Sequence, residues 1–91
     1  MAVAVHICPD QMSKDDYQRV IKDLEDSDAG DPDGRSFHAA YGDGDNVCMF
    51  EVWDSPEQFE AHRGRLMATL QGAGLDAGTV DVHPLHSGHP D

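Results

Sequence analysis

The sequence predicts a two-layer α+β sandwich whose four strands and two helices follow one another as βαββαβ. Three observations lead there. Short segments alternate apolar and polar residues or are rich in β-branched and aromatic side chains. Two longer segments carry apolar residues at helical spacing behind serines that can cap them, and turns dense in Gly, Pro and Asp separate the pieces.

Residues 2–8 alternate, with Val3, Val5 and Ile7 on one face and Ala4, His6 and Cys8 on the other, until Pro9 and Asp10 end the strand. Ser13 offers an N-cap with Asp16 at the reciprocal position, and Tyr17, Val20, Ile21 and Leu24 form the stripe of a helix running to about Ser27. The stretch 28–34 is a loop. A second strand over 36–41 lacks clean alternation; 42–46 is a hairpin loop and 47–53 a third strand. Ser55, Pro56 and Gln58 open a second helix whose buried face is Phe59, Leu66, Met67 and Leu70, and Gly72 and Gly74 stop it. Residues 79–83 alternate again as a fourth strand. Residues 1–86 thus form a single domain of ferredoxin-like βαββαβ order, with 87–91 as a flexible tail.

Composition narrows the function. Asp and Glu number 18 against 6 Lys and Arg, a formal charge of −12, which argues against nucleic acid and anionic membrane surfaces as partners. No apolar run approaches the roughly 18 residues of a membrane span, and the N-terminus lacks the basic start of a signal peptide. A cytoplasmic protein is expected. The two cysteines, Cys8 and Cys48, are placed in opposite strand phases, which disfavours a bridge, and neither has basic surroundings.

The third strand poses the central question, because VCMFEVWDS carries Glu51 two residues before the chain's single tryptophan, Trp53. A buried carboxylate needs partners. If Val3, Val5, Ile7, Cys48, Phe50, Val52, Val80 and Val82 face the helices, the other sheet face carries His6, Cys8, Met49, Glu51, Trp53, Asp81 and His83. His38 joins them if Phe37 and Ala39 point to the helices. Glu51 then pairs with His6, His83 or His38.

The run FEVWDSPEQFEAH, 50–62, resembles the W-[DE]-S-x-E-x-F-x-x-H stretch of the dimeric α+β barrel superfamily, and most resembles its antibiotic-biosynthesis-monooxygenase-like branch. The resemblance implies a homodimer in which two sheets face each other and close a barrel, with Glu51 buried at that interface. Its relatives include cofactor-independent oxygenases of aromatic polyketides, cyclases, isomerases and haem-degrading enzymes.

Three chemistries remain open for His6, Glu51 and His83: a two-histidine, one-carboxylate metal site, an acid–base pair, or a hydrogen-bonded interior that sets dimer register. His62, on the second helix, packs at the helix edge or lines a pocket. The haem-degrading branch uses a histidine there, together with a first-strand asparagine and a tryptophan in the helix, both missing here. The acidic loops lack the ligand spacing of a calcium-binding loop, and His83, His86 and His89 read as an exposed tail.

The expected protein binds a small hydrophobic, aromatic or polyketide-like compound without a cofactor. His38, then His6 with Glu51, would move protons; Trp53, Phe37, Tyr41 and Phe59 would wall the ligand, with His62 and His83 nearby. The competing readings are a non-catalytic dimeric binding protein and a metal- or haem-binding enzyme.

Overall fold

The computed structural model describes residues 2–26, 32–76 and 78–86. The predicted tail, 87–91, and residues 27–31 of the acidic loop lie outside the described residues. The elements run β1 (Val3–Cys8), α1 (Lys14–Asp26), β2 (Arg35–Asp43), β3 (Asn46–Trp53), α2 (Pro56–Gly72) and β4 (Thr79–Pro84). The strands form one antiparallel sheet in the order β2-β3-β1-β4, the ferredoxin-like arrangement that the element order predicts.

Both helix starts follow local chemistry. The Asp16 amide donates to Ser13 Oγ at 3.0 Å and the Ser13 amide to the Asp16 carboxylate at 3.2 Å, a closed capping box. Ser55 accepts from the Gln58 amide at 3.3 Å, with Pro56 at the first helical position. The Gln58 side chain accepts from the Ser55 hydroxyl, at 3.0 Å. After α2, Gly78 (φ +65°) brings the return to β4 so close to the Cys8 carbonyl that a Cβ there would overlap the backbone.

The core lies between sheet and helices: Val3, Val5, Ile7, Met49 and Trp53 meet Val20 and Leu24 of α1 and Phe59, Leu66 and Leu70 of α2. This corrects the phase expected for β3. Val3 pairs with Trp53, Val5 with Glu51 and Ile7 with Met49, so Met49, Glu51 and Trp53 face the helices, and Cys48, Phe50 and Val52 face the open side. Both sides of this central strand carry large apolar residues, so alternation alone does not say which side is inside. Burying the indole of Trp53, which is fully covered, decides it.

The expected phase of β2 is inverted too. Phe37 pairs with Val52 and points to the open face, where it is 53% exposed, while His38 pairs with Glu51 and points to the helices. Arg35 pairs with Trp53, and the register shift between Arg35 and Phe37 is a β-bulge. That extra residue places Arg35 and His38, three positions apart, on one face. It is why β2 shows no clean alternation.

Cys8 and Cys48 consequently share the open face, with Cα atoms 4.4 Å apart, and form a disulfide. The expectation of no bridge rested on the wrong phase for β3. The separation is that of a non-hydrogen-bonded antiparallel pair, where side chains approach most closely.

Candidate active site

Glu51 is 2% exposed beneath the helices, not at a sheet–sheet interface as expected from the sequence. Three donors from two strands converge on it. Trp53 Nε1 donates to Oε1 at 2.9 Å, and His38 Nδ1 and Arg35 Nη1 donate to Oε2 at 2.7 and 3.3 Å. Burial works to raise the carboxyl pKa. The His38 and Trp53 hydrogen bonds, with the charges of His38 and Arg35, outweigh it and hold Glu51 below the ordinary carboxylate value. Glu51 is therefore an ionised, fully satisfied acceptor. Glu51 and Trp53 fall on one face because they are two residues apart on a strand.

The chain of contacts continues outward. His38 Nε2 lies 2.8 Å from the hydroxyl of Tyr17 on α1, and the two rings stack nearly parallel. When the imidazole carries a single proton, on Nδ1 and directed at Glu51, its Nε2 can accept from the phenol. Burial pushes the Tyr17 hydroxyl up from its usual value; Arg35 opposes this and Glu51 adds to it. Tyr17 is thus a neutral donor. It also lines a groove of about 330 Å³ with Lys14, Gln18, Ala40, Gly42 and Val47, within the size range of small-molecule pockets.

His62 is buried, 7% exposed, with its ring 5.4 Å from that of Trp53. Burial lowers its pKa, the Glu51 charge opposes that and Arg35 and Arg65 reinforce it, so the ring is held neutral. Its Nε2 is a buried polar atom without a hydrogen-bond partner among the described residues. His62 packs on the Trp53 indole and lines neither the Tyr17 groove nor the cleft beside Cys8.

Of the residues expected from sequence, the structure brings together His38, Glu51 and Trp53, with Phe59 (5.7 Å, edge-on) and His62 against the indole. It separates the others. His6 pairs across from Phe50 and stacks on Tyr41, and His83 pairs across from Ala4; both lie on the open face. The set His6, Glu51 and His83 is therefore split between opposite sides of the sheet. Phe37 lies on the open face; Tyr41 also belongs to that side and stacks on His6, but it lines the Tyr17 groove as well, and neither packs with Trp53 and Phe59. Sequence reasoning placed Tyr17 in the α1 stripe without assigning it a role and passed over Arg35. A charged residue three before His38 on an irregular strand was the available sign of a bulge.

No protein-family model and no curated protein matches the sequence. The solved structures that resemble it include a proposed antibiotic biosynthesis monooxygenase from Chloroflexus aurantiacus (15% identity, TM-score 0.64, covering 98% of this chain and 97% of that one). Another is Rv0793 from Mycobacterium tuberculosis (23%, 0.62, 98% and 100%). A third is SnoaB, a cofactor-independent oxygenase from Streptomyces nogalater (10%, 0.64, 99% and 96%). The chain has the ferredoxin-like α+β fold of the antibiotic-biosynthesis-monooxygenase-like proteins over nearly its whole length.

Proposed function

We propose that the chain binds a small, enolisable or phenolic aromatic compound in the Tyr17 groove and moves a proton from it through Tyr17 to His38. The observation that carries this is the unbroken relay from groove to buried anion: Tyr17 hydroxyl, His38 imidazole, Glu51 carboxylate. Tyr17 is the member that touches the compound. It hands its own proton to His38 Nε2 as it accepts one from the substrate, so a free phenolate never forms. This suits a hydroxyl that burial has made harder to ionise. Glu51 orients His38 and stabilises its cation. The deprotonated compound can then add O2 without a cofactor: a CH2 carbon becomes a hydroperoxide, and loss of water leaves a carbonyl. The kinship in fold with a cofactor-independent oxygenase supports this reading.

The test is oxygen uptake with a dihydroxyanthrone as substrate. Tyr17→Phe should lower the rate by about 10²-fold or more, and His38→Gln similarly. Variants as fast as the parent, with a folded core, would remove the relay from the mechanism. A second reading, a binding protein without turnover, is favoured by one fact: both His38 nitrogens are already engaged within the protein. It predicts quenching of Trp53 fluorescence by the anthrone with no oxygen consumed.

The open sheet face supports a homodimer. Phe37 and Tyr41, 53% and 48% exposed, lie there with the half-buried Phe50 and Val52, an apolar surface that a second copy would cover. No helix among the described residues is long and apolar enough to cross a membrane.

A further inference from the structure

On the open face, away from the Glu51 relay, His6, Cys8 and Cys48 place one ligand atom each within 4.8 Å of one another. We infer that, with the disulfide reduced, these three side chains form a Zn2+ site, so that the cysteine pair alternates between a disulfide and a metal-binding dithiolate.

The geometry favours zinc. Zn–S and Zn–N bonds of about 2.3 and 2.05 Å at a tetrahedral angle set sulfur and nitrogen about 3.6 Å apart. Cys8 Sγ lies 3.6 Å from His6 Nε2 and 3.9 Å from Nδ1. Two thiolates on one zinc stand about 3.8 Å apart. Facing cysteines with Cα atoms 4.4 Å apart reach that separation by rotating about Cα–Cβ once the bridge is open. The His6 ring is steered by Tyr41, stacked at 5.6 Å and 12°. Asp81, the cross-strand partner of His6, puts a carboxylate position on the same face.

The surroundings suit a cation. The cysteines line a cleft of about 600 Å³ with Asp10, Asp76, Asn46 and Thr79, which opens at the end of the sheet and gives solvent a path to the sulfurs. The chain carries a formal charge of −12. Two soft thiolates and an imidazole select zinc over magnesium or calcium. Three protein ligands leave a fourth position for water, as in open rather than closed sites.

The chemistry balances. A dithiol reductant, oxidised to its own disulfide, delivers two electrons and two protons to the Cys8–Cys48 bridge. Zn2+ then displaces two protons from the thiols and binds the neutral imidazole. In the reverse direction a disulfide oxidant takes two electrons from the thiolate pair and, with two protons, leaves as its own dithiol, which re-forms the Cys8–Cys48 bridge and releases Zn2+.

The experiment uses the untagged full chain, reduced with a phosphine under argon and titrated with Co2+ as a spectroscopic stand-in for zinc. The expected result is one equivalent bound, with an intense thiolate-to-cobalt band that Zn2+ displaces. The band should be absent from the oxidised protein, lost in Cys8→Ser and Cys48→Ser, and weakened in His6→Ala. No such band in the reduced protein, or a band that persists when both cysteines are replaced, overturns the inference. Should a serine variant fail to fold, alkylation of the reduced parent by N-ethylmaleimide decides: thiols shielded by Zn2+ uphold the site, and thiols modified at an unchanged rate refute it.

Discussion

Replacing Glu51 with glutamine keeps the shape of the core but removes its charge and turns one acceptor oxygen into a donor NH2. In the parent, the carboxylate accepts from Trp53, His38 and Arg35 at 2.9, 2.7 and 3.3 Å. Glutamine can keep the Trp53 bond through its oxygen, but its NH2 then meets two donors, His38 Nδ1 and Arg35 Nη1. Two hydrogen bonds to a charged acceptor are lost, each worth roughly 1.5–3 kcal/mol. Arg35, with a 12% exposed side chain, recovers part of its loss through water. The expected cost of Glu51→Gln is about 2–4 kcal/mol, a large share of the roughly 5–15 kcal/mol typical of a domain. For a chain of this size it lowers Tm by roughly 8–30 °C. Urea unfolding followed by fluorescence is the direct assay, since Trp53 is the single tryptophan and touches the altered group. Because the Glu51 pKa is depressed in the folded state, its contribution is present above the unfolded value near 4.5 and is lost as pH falls through the folded one. The variant should therefore lose that part of the parent's acid sensitivity. A variant within about 0.5 kcal/mol of the parent, with unchanged fluorescence, would refute a buried carboxylate serving three donors.

Other outcomes follow from the same geometry. His62, held neutral by burial, has a folded pKa below 6.5, so the unfolded chain takes up the proton first and stability falls as pH drops below about 6.5. His62→Phe should flatten the stability profile between pH 7 and 5, measured by urea midpoints at each pH; an unchanged slope would count against burial. Tyr17→Phe removes one hydrogen bond and should cost only about 0.5–1.5 kcal/mol while disabling the relay, so a folded but inactive protein is expected. Phe37→Glu puts a charge on the open face and should yield monomers by analytical ultracentrifugation, with the Trp53 signal unaltered. A variant that stays dimeric would move the dimer contact elsewhere.

How much was legible in the sequence differs between elements and faces. Helix starts at Ser13 and Ser55, the apolar spacing of α1 and α2, and the alternation of β1 and β4 are local properties, readable because neighbouring residues enforce them. They determine the βαββαβ order and, through it, the two-layer fold. Which side of β3 is inside is not local. Phe50 and Val52 compete with Met49 and Trp53 for the core, and the sheet register, set by pairing with β1, gives the place to Trp53. Because side chains alternate with a period of two, that single decision carries Glu51 under the helices and brings Cys48 beside Cys8 on the open face. The bulge between Arg35 and Phe37 then turns Arg35 and His38 toward the same carboxylate. By itself the sequence determined the elements and the need of Glu51 for partners. Tertiary structure alone decided which partners those are, because strand register and a one-residue bulge choose the face.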